Sequence, residues 1–263
     1  GYTLVEDIPA ENIPGRGKGG VKKGEGDDKR LIIVGDIHGM LHEFRSLLNK
    51  VSYDSESDYL VLAGDIISKG PDSLAVLDLA RKIGAHCVRG NHEDRILLHY
   101  HDIQRRKRKH HRASEAEPDL SVERKLAKLL SKKQAEWLDA CPLVVRAEKI
   151  PGLGLCYVVH AGLVHGIELK SQDPLAIMTV RTLNHHLVPS PKQNGMHWAK
   201  YWNKMERRKT HGHTTVVYGH YAAEGLDSNC VRGGRLSAYI LEAGKGGRVE
   251  EDVISVKCRD YLD

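Results

Sequence analysis

The chain has 263 residues, a formal net charge of +5, 40% hydrophobic residues and a single Phe. That length suffices for one sizeable α/β core, so one domain is expected. The mild positive charge suits an anionic ligand but does not define one. No apolar run approaches a membrane span and no signal-peptide pattern is present. The five cysteines, Cys87, Cys141, Cys156, Cys230 and Cys258, are odd in number and mostly sit inside apolar runs, which predicts buried thiols and no disulfide framework.

Residues 1–30 mix Gly, Pro and charge without period and read as a flexible lead-in, with the folded domain over 31–263. From Leu31 onward the chain alternates strand-like and helix-like segments. Leu31-Ile32-Ile33-Val34 is a buried-strand run ending in Gly35-Asp36-Ile37-His38-Gly39. Leu41, Phe44, Leu47, Leu48 and Val51 then recur at helical spacing. Tyr59–Ala63 leads into Gly64-Asp65, followed by a helical pattern over Leu74, Val76, Leu77, Leu79, Ala80 and Ile83. His86–Arg89 leads into Gly90-Asn91-His92-Glu93. This βαβαβ rhythm implies parallel strands with right-handed crossovers.

Residues 101–140 read as helix with an irregular middle. An antiparallel pair is expected around the turn at Pro151-Gly152, and short strands over Thr215–Tyr218, Leu236–Leu241 and Val253–Val256. The pair's second strand ends in His160, and Thr215–Tyr218 runs through Gly219 into His220.

Carboxylates, imidazoles and an amide thus arrive at the C-terminal ends of strands, the edge where open α/β sheets bind ligands. A lone Gly-Asp is more often a turn or helix cap, and a lone His more often a core residue. The ordered conjunction, each member beside a Gly that permits close approach, outweighs that bland account. Asp, His and Asn are donors suited to Zn, Mn, Fe or Co. They suit two adjacent ions with one carboxylate shared.

The order Gly-Asp-x-His-Gly, Gly-Asp, Gly-Asn-His-Glu, His-Ala-Gly, Gly-His resembles the calcineurin-like metallophosphoesterase superfamily. Gly64-Asp65-Ile66-Ile67-Ser68-Lys69-Gly70-Pro71, His160-Ala161-Gly162-Leu163, Gly225-Leu226-Asp227-Ser228 and Gly233-Gly234-Arg235-Leu236 are similar to its ApaH-like phosphatase group, which includes a fungal zinc-dependent endopolyphosphatase. The resemblance covers about Leu31 to Leu241. It implies an α/β fold, a β-sandwich flanked by helices, and two divalent metals, with Zn favoured. Asp36, His38 and Asp65 would hold one ion. Asp65, Asn91, His160 and His220 would hold the other, with Asp65 bridging.

His92 is the implied general acid, and Lys69, Arg89 and Arg181 are candidate phosphate contacts. Glu93 orients neighbours at most. Related protein phosphatases pair the acid His with an Asp where this chain has Ser68. His92 is then either oriented by another group or a weaker acid. Because a pyrophosphate leaving group needs less protonation than a serine alkoxide, phosphoanhydrides are favoured over phosphoserine. After Gly-His, relatives carry an Asp and a longer stretch that this chain lacks before Gly225.

The run Arg105-Arg106-Lys107-Arg108-Lys109-His110-His111-Arg112 is a solvated loop or a track for a polyanion. Few aromatics accompany it, which favours polyphosphate over stacked nucleic acid. The expected function is therefore a two-metal phosphoanhydride hydrolase acting on polyphosphate, vacuolar by resemblance and otherwise cytoplasmic. The alternatives are a diadenosine polyphosphate or mRNA-cap hydrolase, a Ser/Thr protein phosphatase, or a non-catalytic polyanion-binding module.

Overall fold

The computed structural model describes residues 1–15, 29–108, 121–221, 225–245 and 248–262. Strand β1 is Val5–Asp7, and β2 (Arg30–Val34), β3 (Asp58–Leu62) and β4 (His86–Cys87) follow, separated by α1 (Leu41–Lys50) and α2 (Ser73–Lys82). Next come α3 (Asn91–Arg108), α4 (Val122–Leu129), α5 (Lys132–Ala140), β5 (Val144–Ile150), β6 (Gly154–Val159) and α6 (Pro174–Thr179). Three two-residue strands, β7 (Thr182–Leu183), β8 (Pro189–Ser190) and β9 (Met196–His197), precede α7 (Trp198–Glu206). The chain closes with β10 (Thr214–Tyr218), β11 (Asp227–Ser228), β12 (Arg235–Ala243) and β13 (Val249–Lys257).

Two sheets face each other. One runs β1-β5-β6-β10, and the other runs β11-β12-β2-β3-β4 with β13 on β12. The β2, β3 and β4 strands are parallel, as the βαβαβ rhythm requires. Period-two alternation decides the layers. Leu31 and Ile33 on β2 point into the core between the sheets, with Val61, Val145, Cys156 and Val158. Their neighbours Ile32 and Val34 point the other way, onto Phe44, Leu47, Leu77 and Ile96 of the helices. A third cluster packs Val144 and Val159 against Trp198 and Trp202 of α7. The result is the expected β-sandwich flanked by helices.

Two expectations need correction. Residues 1–15 are not a loose lead-in. β1 pairs in parallel with β5, and Ile8 and Ile13 are buried. A three-residue strand, two of whose residues are charged, carries too little period to stand out. Residues 16–28 lie outside the described residues. Cysteine usage is also corrected. Cys230 and Cys258 form a disulfide across 28 residues, with Cα atoms 5.2 Å apart, while Cys87, Cys141 and Cys156 are buried thiols.

The pair brackets β12 and β13, so only tertiary folding brings it together. A loop of that length is worth roughly 3–4 kcal/mol on loop-closure arguments. Equilibrium denaturation with and without reductant should show a loss of that order, and Cys258→Ser should show the same loss without further sensitivity to reductant. Identical curves would mean that the bond contributes nothing.

Candidate metal and phosphoryl-transfer site

Every predicted ligand leaves a strand at its C-terminal end. Asp36 follows β2, Asp65 follows β3, Asn91 opens α3 after β4, His160 follows β6 directly, and His220 follows β10. Both sheets therefore contribute to one edge of the sandwich. Sharp bends deliver the side chains: His38, Asp65 and His220 all adopt left-handed φ, at 47°, 49° and 60°. Such conformations are tolerated where the surrounding structure dictates them. Two glycines make room. A Cβ on Gly90 would strike the Asp65 carboxylate, and one on Gly219 would strike that of Asp36.

Hydrogen bonds aim each donor atom. The His92 backbone N–H donates to Asp65 Oδ1 at 3.0 Å, leaving Oδ2 free. That Oδ2 lies 3.4 Å from His160 Nε2, 3.8 Å from His38 Nε2 and 3.9 Å from His92 Nε2. The His220 N–H donates to Asp36 Oδ1 at 3.0 Å, and Asp36 Oδ2 faces His38 Nε2 at 3.7 Å. His160 Nδ1 pairs with the Ala63 carbonyl at 2.8 Å, which turns its Nε2 toward Asn91 Oδ1 at 3.0 Å and His220 Nδ1 at 3.1 Å. Outer partners of this kind fix the ring orientation of metal-binding histidines.

The structure thus brings the other five predicted ligands, Asp36, His38, Asn91, His160 and His220, to the surroundings of Asp65. Two overlapping groups have metal-ligating geometry, His38–Asp65–His92 and Asp65–His160–His220, with Asp65 common to both. The first takes in His92, the predicted acid, where the sequence predicts Asp36.

Electrostatics fit a cation. Burial raises the Asp36 carboxyl well above its usual range, and the nearby Asp227 adds to it. Burial would raise Asp65 as well, but His160, His92 and His38 outweigh it and hold this carboxyl well below its usual range. Burial opposes charge on His160, yet Asp65 and Asp36 lift that imidazole to about 10. Burial pushes His38 and His220 down to about 3, so both are neutral donors. The proton drawn onto His160 uses the lone pair a metal would take, so a bound ion would displace it. Three carboxylates converging in a buried space, Asp227 being the third, are costly without positive charge between them.

The donor set therefore fits a pair of divalent ions. Such a pair supplies Lewis-acid charge for phosphoryl oxygens and lowers the pKa of an attacking water.

Glu93 is a brace. Fully buried, its carboxylate accepts from the backbone N–H groups of Asp65, Ile66, Ile67 and Gly90 at 2.7–3.3 Å. Burial, then the Asp65 charge, raise it to about 7. It holds the Asp65 loop against the Asn91 loop.

A cavity of about 540 Å³ opens over the ligands. Lys69 and Arg181 line it, as predicted, with Lys69 Nζ 3.0 Å from His38 Nε2 and Arg181 Nε 3.4 Å from His220 Nε2. Arg89 does not. Its guanidinium donates to the Leu138 and Asp139 carbonyls at 3.2 and 2.7 Å and pairs with Asp94. These carbonyls end α5, so Arg89 serves as a cationic cap on that helix. Its place beside Gly90 in the sequence gave no sign of that partner.

Sequence reasoning also missed Arg95, Asp227, Asn229 and Gln193, which line the cavity. Helical phase could have flagged Arg95, one turn beyond His92. Asp227 sits in the Gly-Leu-Asp segment whose chemistry the motif alone did not reveal. Residues 222–224, where relatives carry a longer stretch, lie outside the described residues.

A two-sheet sandwich whose edge gathers His and Asp side chains in two groups able to hold metal, under a cationic rim, is the arrangement of a metallophosphoesterase. Residues 29–245 match the family model for calcineurin-like phosphoesterases, and the chain belongs to that family. It is 48% identical over 80 residues to the symmetrical bis(5'-nucleosyl)-tetraphosphatase of Erwinia tasmaniensis, covering 29% of each chain. It is 34% identical over 163 residues to the enzyme of the same name from Photorhabdus laumondii, covering 60% of this chain and 53% of that one. The chain thus spans about three-tenths to half the length of these curated relatives.

A crystal structure assigned provisionally as a diadenosine tetraphosphatase superposes with a TM-score of 0.72 at 28% identity, covering 98% of this chain and 99% of that one. A serine/threonine phosphatase from Saccharomyces cerevisiae, 13% identical, shares the fold with a TM-score of 0.53 over 86% of this chain and 80% of that one. The chain is accordingly a calcineurin-like phosphoesterase family member similar to the ApaH-like group. Among the described residues no helix is long and apolar enough to cross a membrane.

Proposed function

We propose that this protein hydrolyses phosphoanhydride bonds in nucleoside polyphosphates of the diadenosine tetraphosphate type. This replaces inorganic polyphosphate as the leading substrate, because the named relatives are dinucleoside tetraphosphatases. Those relatives are bacterial and lend no support to a vacuolar location.

The observation that carries the proposal is the distribution of cations around the ligand shell. Lys69 stands beside His38 and Arg181 beside His220, while Arg95 follows His92 by one turn of α3. His92 would protonate the leaving oxygen, so a cation on its side favours a leaving group that is itself phosphorylated. Water would attack phosphorus, and the departing nucleotide would take the proton. Lys69 and Arg181 would orient the phosphoryl group. Arg181 has its guanidinium over the Tyr221 ring, 5.9 Å from the centroid, which restrains the fork.

A substrate panel tests this. Diadenosine tetraphosphate should be turned over with a kcat/KM well above that for a phosphopeptide or p-nitrophenyl phosphate. A preference for the phosphopeptide would contradict the reading.

Polyphosphate is the second reading, favoured by the basic end of α3. Arg105, Arg106, Lys107 and Arg108 lie on the helix that begins at Asn91, so the patch stands roughly 21–26 Å along the helix from Asn91 at 1.5 Å rise per residue. Only a long chain reaches both. Asp102 already pairs with Arg105 and Arg106, at 3.1 and 2.8 Å. Lys109, His110, His111 and Arg112 lie outside the described residues. Replacing Arg105, Arg106, Lys107 and Arg108 with Gln should raise KM for long polyphosphate and flatten its salt dependence, by analogy with counterion release. Turnover of p-nitrophenyl phosphate should hold. Unchanged long-chain kinetics across a salt series would remove this second reading.

A further inference from the structure

His92 has two ring nitrogens and only one faces the ligands. Its Nε2 lies 3.9 Å from Asp65 Oδ2, toward the cavity. Its Nδ1 is buried and has no hydrogen-bond partner among the described residues. In the related protein phosphatases a carboxylate near Ser68 would serve this ring. Here Ser68 is buried, and its backbone N–H is engaged with Ser73 Oγ at 2.9 Å. The carboxylate that does reach Nδ1 comes from another element: Glu123 Oε1 stands 3.7 Å away.

The approach of Glu123 is built into the fold. It lies in the first turn of α4, whose cap Ser121 Oγ accepts from the Arg124 N–H. Arg124 in turn pairs with Asp102 of α3 at 3.7 Å. This ties α4 to the helix that starts with Asn91 and His92. The Glu123 side chain is only 20% exposed, so water screens the contact weakly. Other charges near His92 are Lys69, Arg95 and the metal-facing Asp65. Among the described residues only Glu123 meets Nδ1 with the opposite charge.

We infer that Glu123, from α4, is the positioning residue for His92, holding a proton on Nδ1 so that Nε2 is directed at the leaving oxygen. This rests on the reading of the site as a phosphohydrolase. In the step itself, water oxygen bonds to phosphorus and releases its proton to solvent. The bond from phosphorus to the leaving oxygen breaks, and that oxygen takes the Nε2 proton. His92 is left neutral, its remaining proton on Nδ1 toward Glu123. Contacts of this sort are commonly long before substrate binds and tighten with it. At 3.7 Å the pair is about half an ångström beyond the longest N–H···O hydrogen bonds, so the contact in this structure is an ion-pair approach that must close to become one.

Two measurements test this together. The first is a double-mutant cycle of Glu123→Ala and His92→Asn on two monoesters, phenyl phosphate and p-nitrophenyl phosphate. Glu123→Ala should lower kcat for phenyl phosphate roughly 10-fold or more, a part of what general acid catalysis contributes. It should barely affect p-nitrophenyl phosphate, whose leaving group needs little protonation. KM and metal content should stay constant, Glu123→Asp should restore part of the loss, and the effect should vanish in the His92→Asn background.

The second measurement needs no turnover. Long-range ¹H–¹⁵N spectra should show His92 protonated on Nδ1 in the native protein, and a shift to the other tautomer in Glu123→Ala. Equal losses on both substrates, the same loss without His92, no loss at all, or an unchanged tautomer would each overturn the inference. Failure to cleave diadenosine tetraphosphate would instead count against the substrate proposal alone, since neither measurement uses it.

Discussion

Asp65→Asn is expected to strip the protein of metal and of turnover while leaving it folded. Asp65 is the residue shared by both groups of metal-ligating side chains, and its Oδ2 lies 3.4–3.9 Å from His160, His38 and His92. Replacing it with an amide removes the negative charge common to both ions. The loss should exceed the roughly 10–100-fold that removal of a partner outside the ligand shell costs. The fold should survive because the structural contact of this side chain is at Oδ1, which accepts from the His92 N–H. An Asn oxygen can still accept there. Elemental analysis after gel filtration, alongside thermal unfolding, separates the two effects. Two ions and normal turnover in this variant would show that Asp65 does not bridge.

His92→Asn should keep the metals and slow the chemistry. The side chain sits at the cavity edge of α3, and burial lowers its pKa from the ordinary imidazole value. General acid catalysis contributes roughly 10²–10⁴-fold, and the loss should scale with how much the leaving oxygen needs a proton. Phenyl phosphate should suffer more than p-nitrophenyl phosphate, whose leaving group needs little protonation. His92 Nε2 also falls within one of the metal-ligating groups. Loss of an ion from this variant would therefore identify it as a ligand, and an equal rate loss on every substrate would exclude the acid role.

The layers and the metal centre were legible in the sequence for a physical reason. Buried parallel strands are apolar along their whole length, so runs such as Leu31–Val34 end abruptly at the polar residues they deliver. Asp36, Asp65, Asn91, His160 and His220 each stand at such an end. What stayed hidden depends on contacts between segments remote in sequence. Arg89 caps α5, some fifty residues downstream, and nothing beside Gly90 announces that. Cys230 and Cys258 meet because β12 pairs with β13. β1 is three residues long and gains its place in the sheet by pairing with β5. Glu123 reaches His92 through the packing of α4 on α3, which periodicity within either helix cannot show.

The central claim is that this site hydrolyses a phosphoanhydride with two metal ions. The most direct measurement titrates a divalent metal into chelator-stripped protein while following turnover of diadenosine tetraphosphate. Activity should be absent at the start and rise until about two equivalents per chain are bound, with nucleotide products and no activity beyond background when Asp65 is replaced. Full activity in stripped protein, or saturation at one equivalent, would contradict the account.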